Sequence, residues 1–391
     1  MTARAGELAS TMLLAGGKVT ASDAVLDPGW VEIRGEQVVA LGAGAPLRHP
    51  DEDLSGRVVV PGFVDIHVHG GDGAAYTSGD PDDARRAAAL HLRHGTTTSM
   101  ASLVTADIAA LERQITALAD LVEGGILAGI HLEGPWLSPA HRGAHDPDLL
   151  RPADRASVQR LLTAGRGAIR MVTIAPEIDG GIDAIHQILD AGAVAAIGHT
   201  DATYDQTRQA LDAGARVGTH LFNAMRAVHH REPGPVIALL EDPRACIELV
   251  ADGVHLHPAA LRHAARAAGP DRTILVTDAM AAAGAPDGAY RLGSLDVQVT
   301  AGVARLARGG AIAGSTLTMD AAFRHAVHTA GMTVPDAVRA AATVPAATLG
   351  LPQVGSLRAG NRADLVVLDA TLAVTRVMRA GQWVAAQTAR T

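Results

Sequence analysis

The pattern of apolar and polar positions divides the chain into three stretches. Between about residues 11 and 60 the pattern alternates over short spans, with turn residues at Gly16-Gly17, Asp27-Pro28-Gly29 and Gly35-Glu36 and candidate strands at Val31-Glu32-Ile33 and Val38-Val39-Ala40. Alternation of period two with frequent turns describes a small β unit. From Val58 onward, apolar β-rich runs alternate with helical stretches rich in Ala, Leu and Arg. Eight such runs can be counted: Val58 to Val68, Thr97 to Val104, Ile126 to Leu132, Ile169 to Ala175, Val194 to Gly198, Arg216 to Leu221, Cys246 to Ala251 and Thr273 to Thr277. Helical segments such as Pro81 to His94, Ala106 to Glu123, Ala153 to Ala164 and Thr203 to Ala213 separate them, with Gly95, Gly165, Gly192 and Gly214 placed as stops. Eight strands each followed by a helix predict an α/β chain folded as a (β/α)8 TIM barrel. Residues 290 to 312 read as a hairpin-rich insertion, followed by helices over Thr316 to Ala330 and Val334 to Leu349. The tail, Gly355 to Asp369 and Thr375 to Trp383, returns to short strands. Pairing of this tail with the first β unit predicts a small discontinuous β-sandwich domain built from both termini, with expected boundaries of 1–59, 60–348 and 349–391.

Length and composition narrow the chemistry. At 391 residues and 48% apolar content the chain can bury a sizeable core. A net charge of −8 and 2% aromatic residues provide neither the basic surface nor the stacking rings of a nucleic-acid binder. A single cysteine, Cys246, excludes an intramolecular disulfide. No leader-like start or long uncharged apolar run appears, so no membrane span is expected and the cytoplasm is the expected compartment. Lys18 is the only lysine. A P-loop, a Schiff base or a carbamylated lysine bridging two metals would have to use this one residue near the N-terminus.

In such a barrel the strand C-termini converge on the active site. The first run ends in His67-Val68-His69, whose imidazoles alternation places on one side. The third ends at Glu133, the fifth at His199, the sixth at His220 and the eighth at Asp278, with His255 beyond the seventh. Imidazoles and carboxylates gathered in this way suit a divalent cation. With 18 histidines in the chain, any one alone reads as a surface or hydrogen-bonded residue, and His91, His94, His186, His263, His325 and His328 keep that reading. Glu133 could instead open a helix before Gly134-Pro135, and Asp278 could cap Ala279 to Ala283. A carboxylate beside a cation can also accept and then donate a proton.

Pro61-Gly62-Phe63-Val64-Asp65-Ile66-His67-Val68-His69-Gly70, His131-Leu132-Glu133-Gly134-Pro135, Gly143-Ala144-His145, Ile197-Gly198-His199-Thr200, His220-Leu221-Phe222-Asn223-Ala224-Met225, Arg231-Glu232-Pro233-Gly234, Asp252-Gly253-Val254-His255, Thr277-Asp278-Ala279-Met280 and Ala313-Gly314-Ser315 stand in this order. Together they resemble the amidohydrolase superfamily and, within it, the N-acetylglucosamine-6-phosphate deacetylase family. The resemblance implies metal-dependent hydrolysis of the acetamide of N-acetylglucosamine 6-phosphate to glucosamine 6-phosphate and acetate, in amino-sugar catabolism or cell-wall recycling. N-acetylgalactosamine 6-phosphate is the alternative substrate; a different amidohydrolase reaction or a non-catalytic scaffold fits these residues less well.

By the same resemblance Glu133, His199 and His220 are the principal metal ligands. His67 and His69 hold a second ion bridged by Glu133 in those members that have the pair, and Asp278 is the catalytic acid/base that also touches a metal. The expected cofactor is one or two divalent ions per subunit, zinc first, with iron, manganese, cobalt or cadmium as alternatives. His145 resembles the catalytic residue that polarises the substrate carbonyl. Asn223 and Ala224 through their backbone N–H groups, with Arg231 and His255, resemble a sugar-phosphate clamp. Ala144 and Ile312, Ala313 and Gly314 line the substrate. The implied partner is a phosphorylated amino sugar, and the implied assembly a homodimer in which Arg231 reaches across the interface. Trp136 and Asp146 depart from common family residues, within or beside the lid-like segment Leu137 to Pro147.

Overall fold

The computed structural model describes residues 11–21 and 24–385. The first ten and last six residues, part of the expected end domain and of the stretch read as lacking a leader, lie outside them. All eight predicted runs contain strands of one parallel sheet: β1 (Phe63–Asp65), β2 (Thr96–Val104), β3 (Gly129–Glu133), β4 (Ile169–Ile174), β5 (Val194–Ile197), β6 (Val217–Gly218), β7 (Cys246–Val250) and β8 (Thr273–Val276). They lie side by side in chain order. Beyond the ends of β1 and β8, Val68 pairs with Ala279 in a parallel bridge and Asp278 N–H donates to His67 O at 2.8 Å, which brings the sheet's two edges together into a barrel. Asp65 supports this seam from inside. Its carboxyl accepts the Thr277 hydroxyl at 2.6 Å and the His67 and Thr277 amides at 3.3 Å, while burial raises its pKa to about 7.

Helices α1 (Pro81–Arg93), α2 (Ile108–Glu123), α3 (Arg155–Ala164), α4 (Gly181–Asp190), α5 (Tyr204–Ala213), α6 (Gly234–Glu241), α7 (Pro258–Ala268) and α8 (Met319–His328) pack around the sheet. Their apolar stripes join the strands in one core that includes Leu111, Ile115 and Leu118 of α2 against Leu103, Ile130 and Leu132. The glycine stops vary in detail. Gly214 takes φ +116 at the end of α5, whereas Gly165 stays at φ −70 and the left-handed turn passes to Arg166 and Gly167.

Most strands end within a few residues of the expected runs, and two runs are cut far shorter. Val58 to Val68 breaks at Gly62 into a strand of a separate sheet, Val58–Pro61, and β1. Gly62 donates its N–H to Asp364 O, and a Cβ there would lie 2.2 Å from Thr97 Oγ1, so the chain crosses between sheets at a residue without a side chain. The sixth run keeps strand geometry only over Val217–Gly218, because the backbone turns to φ +27 at His220.

Strands from both ends of the chain share the separate sheet. Val58–Pro61 lies between Lys18–Thr20 and Leu365–Leu368, with Val374–Arg379 next in order. A four-stranded sheet of Thr11–Ala15, Gly29–Arg34, Gln37–Ala43 and Glu52–Asp53 faces it across a second core of Leu14, Val31, Ile33, Val59, Leu365 and Met378. The insertion forms an antiparallel sheet, Gly288–Leu292, Leu295–Thr300 and Val303–Leu306, packed on Val104, Ala144, Met280 and Ala313.

Candidate metal centre and active site

The barrel strands deliver their polar side chains to one cavity of about 270 Å³. His69, Glu133, Ala144, His145, His199, His220, Asn223, Ala224, His255, Ile312, Gly314 and Asp278 all line it. His67 lies fully buried beneath the cavity wall, with Nε2 3.2 Å from His69 Nε2 and 3.5 Å from both Glu133 Oε1 and Asp278 Oδ1. Ala313 is buried behind the wall. Arg231 is exposed on a loop and is not among the lining residues, its guanidinium 2.8 Å from His230 Nε2.

Several of these side chains sit just past a strand end on strained backbone. His199, His220 and Asp278 have φ of +48, +27 and +50, in a region that non-glycine residues rarely occupy. Strain of this kind persists where surrounding contacts over-determine it, and it concentrates at functional sites. Here hydrogen bonds hold it: His199 O accepts from Ser138 N–H at 2.9 Å, and Asp278 O accepts from Ser315 N–H at 2.7 Å. Gly314, at φ +65, leaves room for that second bond, since a Cβ would stand 2.9 Å from Asp278 O.

Glu133 is the hub. Its Oε1 lies 3.0 Å from His199 Nε2 and 3.1 Å from His220 Nε2, and its Oε2 lies 3.4 Å from both His69 Nε2 and His145 Nε2. Among the described residues, His67, His69 and Glu133 form one group with metal-ligand spacing, and Glu133, His145 and His199 another, the two sharing Glu133. His220 stands beside the second group, with Nε2 3.1 Å from both Glu133 Oε1 and His199 Nε2.

The ring tautomers distinguish ligands from donors. His199 Nδ1 donates to His141 O at 3.0 Å, His69 Nδ1 to Ser102 O at 3.3 Å, and His67 Nδ1 to Glu248 Oε2 at 3.0 Å. With Nδ1 bonded outward, each ring turns its Nε2 toward the others, the arrangement in which outer partners orient metal-ligating histidines. His145 is wired the opposite way. Its Nδ1 accepts from the Thr105 amide at 3.3 Å and lies 2.8 Å from the Thr105 hydroxyl, which puts its proton on Nε2, facing the cavity.

Charge points in the same direction. Burial alone would lower the His67 pKa, yet the Glu248, Glu133 and Asp278 carboxylates outweigh it and raise it well above the ordinary imidazole value. His69 is likewise raised to about 9 against the burial penalty, through Asp278 and Glu133. Burial opposes ionisation of Glu133 and Asp278, but the surrounding histidines hold both well below the usual carboxylate range. His199 is lowered to about 4, chiefly by burial and then by the neighbouring His145, which together outweigh the hydrogen bond and charge of Glu133. Buried carboxylates thus draw positive charge onto rings whose Nε2 atoms converge, and a divalent cation can take the place of those protons. The donor set fits a metal.

Residues 58–384 match the amidohydrolase family. The chain belongs to it. This is a metal-dependent hydrolase family, and the paired histidine–carboxylate groups supply the donors for such an ion. The chain is 38% identical over 363 residues to an N-acetylgalactosamine-6-phosphate deacetylase of Escherichia coli O157:H7, covering 91% of this chain and 96% of that protein. It is also 38% identical to an N-acetylglucosamine-6-phosphate deacetylase of Danio rerio, covering 85% of each. A solved structure of an N-acetyl-D-glucosamine-6-phosphate deacetylase mutant from Mycobacterium smegmatis, in complex with N-acetyl-D-glucosamine-6-phosphate, aligns with a TM-score of 0.94 at 55% identity over 96% of this chain and 99% of that one.

Around this amidohydrolase centre stand residues that the motif reading did not single out. Glu248, in the middle of β7, touches two of the histidine residues. His131 is buried behind His67 between the Ser102 and Thr173 hydroxyls, at 2.9 and 2.8 Å. Asp252 holds His255 Nδ1 at 2.7 Å, so that His255 Nε2 comes within 3.6 Å of Asp278 Oδ2, beside the cluster. For Glu248 the one available signal was a charged residue inside an otherwise apolar strand, Cys246-Ile247-Glu248-Leu249-Val250, whereas His131 and Asp252 stood unassigned within the motifs His131 to Pro135 and Asp252 to His255. The segment Leu137 to Pro147 is fastened at two points, since Ser138 N–H and His141 O both bond to His199. Among the described residues no helix is long and apolar enough to cross a membrane.

Proposed function

We propose that this chain is an N-acetylglucosamine-6-phosphate deacetylase, releasing acetate and glucosamine 6-phosphate. Full-length similarity to deacetylases of this kind supports the reading. The observation that carries it is the convergence of Glu133, His199, His220, His67, His69 and Asp278 at one cavity with His145 aimed into it. Zinc is the proposed ion; Glu133, His199 and His220 would hold it, and His67, His69 and Asp278 together with Glu133 would hold a second. When bound, the divalent cation supplies Lewis acidity that makes water nucleophilic near neutral pH.

The remaining work falls to side chains. Asp278, kept ionised by its histidine neighbours, takes a proton from the attacking water and returns it to the departing amine nitrogen. His145 donates from Nε2 to the carbonyl oxygen as negative charge grows there, a contribution worth about 3 kcal/mol per donor. Thr105 keeps that proton on the useful nitrogen.

For the phosphate, Phe222 and Ala224 adopt left-handed φ of +76 and +49 on either side of Asn223, a turn that gathers backbone N–H groups into an anion-binding concavity. Asn223 N–H already donates to His220 O at 3.0 Å, which leaves the Ala224 amide the freer donor. Arg231 completes the clamp from a neighbouring subunit, in keeping with its exposed loop position, while His255 orders the sugar close to Asp278. Ala144, Ile312 and Gly314 form the wall against the sugar, backed by Ala313. Residues 60–348 carry this chemistry, and the described parts of 1–59 and 349–391 brace the barrel. The test is acetate release from N-acetylglucosamine 6-phosphate, its galacto epimer and unphosphorylated N-acetylglucosamine, by metal-stripped and zinc-reconstituted protein. The reading requires zinc-dependent turnover and a preference for the phosphorylated gluco sugar; preference for the galacto epimer would reassign the substrate.

A further inference from the structure

We propose that Glu248 is the positioning residue that lets this chain hold a second divalent ion beside the first. The proposal rests on the metal centre described above and concerns how it is loaded. Glu248 lies on β7, fully buried, and among the described residues no arginine or lysine pairs with it. A carboxylate in such a place is costly unless its oxygens are bound. Only one of them is. Oε2 accepts from His67 Nδ1–H at 3.0 Å and from the His220 backbone N–H at 3.1 Å, while Oε1 has no partner among the described residues. A single oxygen therefore touches one residue from each of the two ligand groups, on the side of the cluster away from the cavity.

The two contacts differ in kind. At His220 the bond reaches only the backbone, helping to hold a residue whose φ of +27 already aims its ring at Glu133. At His67 it reaches the ring itself, fixing the proton on Nδ1 and directing Nε2 toward His69, Glu133 and Asp278. A carboxylate behind a histidine also raises its basicity as a ligand, and removing such an outer partner typically weakens metal binding about 10- to 100-fold. Loss of Glu248 should therefore fall on the ion bound through His67 and His69, and spare the ion bound through His199 and His220.

The experiment is a zinc titration of the full chain, wild type against Glu248→Gln, by equilibrium dialysis in buffered zinc with metal per chain read by mass spectrometry. Wild type should saturate at two ions. Glu248→Gln should keep the tighter ion within a few-fold and bind the second about 10- to 100-fold more weakly. His67→Gln should reproduce that split, and circular dichroism of each metal-stripped variant checks that it folds. If Glu248→Gln does not fold, Glu248→Asp, which keeps the charge but draws it back from the ring, takes its place with the same expected loss. Equal weakening of both ions, unchanged binding of both, or a wild type that saturates at one ion would each overturn the proposal. Acetate release separates the two readings. A wild type that turns over with one ion defeats only the positioning role, and a wild type with two ions dependent on Glu248 but no turnover defeats only the assigned activity.

Discussion

Buried carboxylates occur at both ends of this barrel, and they are neutralised differently. At the end from which the strands enter, Asp242 follows α6 and meets Arg244 and Arg208, and Asp364 meets Arg362. At the end where the strands finish, Glu133, Asp278 and Glu248 meet histidines. Arginine is a permanent cation, so the first arrangement is closed and complete. Histidine can give up its charge and offer a lone pair, so the second is open to an exchangeable cation. Conformation follows the same division. His199, His220 and Asp278 carry left-handed backbone at the strand ends, whereas Val58–Pro61 and Leu365–Leu368 pair in regular antiparallel register below. One end stores strain for chemistry and the other contributes stability, the division that barrel enzymes generally show.

The sharpest way to break this contrast is at Asp278. Asp278→Asn should retain the ion held by Glu133, His199 and His220 while kcat for acetate release falls by about 10³-fold. Near-normal turnover would remove Asp278 from the proton transfers. Stripping the metal should abolish turnover reversibly and lower Tm, because an ion at a hundredfold excess over its Kd stabilises the folded state by about 2.7 kcal/mol. A chain whose turnover and unfolding both ignore a chelator would not have an open metal end at all.

Arg231→Ala should raise KM for the phosphorylated sugar about 10- to 100-fold, as expected for one charge-assisted hydrogen bond, and leave unphosphorylated N-acetylglucosamine nearly unchanged. Mixing that variant with Asp278→Asn should restore activity if Arg231 serves a neighbouring subunit's cavity, since a mixed dimer then contains one intact site. Equal losses on both sugars would sink the clamp.

The smallest effect belongs to the closed end. Hydrogen bonding to Arg244, ahead of all other causes, lowers the Asp242 pKa to about 2. A depressed carboxyl pKa favours the folded state above the ordinary aspartate value, so this contribution is present above about pH 4 and is lost as the pH falls toward 2. Asp242→Asn should cost roughly 2 kcal/mol in urea unfolding at pH 7, much less at pH 2.5, and leave kcat unaltered. A change in kcat would mean that the two ends are not independent.

Much of this organisation was legible in the residues. The eight βα units were visible because strand and helix periods differ and glycines punctuate them. Placing His67, His69, Glu133, His199, His220 and Asp278 at run ends was enough to expect them together, and they line or underlie one cavity. The breaks at Gly62 and His220 were not legible, because they depend on what stands opposite: Asp364 and Thr97 in one case, Glu248 and Glu133 in the other. Arg231 shows the limit of motif reading in another way, for a residue can be named from its neighbours in sequence while its distance from the cavity is set by a loop.

Residue order by itself determined which chemical groups this protein owns and on which strand each is carried, because side-chain periodicity and turn preference are local properties. Tertiary structure alone decided which partner holds Nδ1 of His67, His69, His145 and His199, that Glu133 stands among the histidines, and that Glu248 touches two of them. Those outcomes depend on partners from 28 to 181 positions away along the chain. A hydrogen bond acts over about 3 Å, and only the closed barrel brings such partners within its reach.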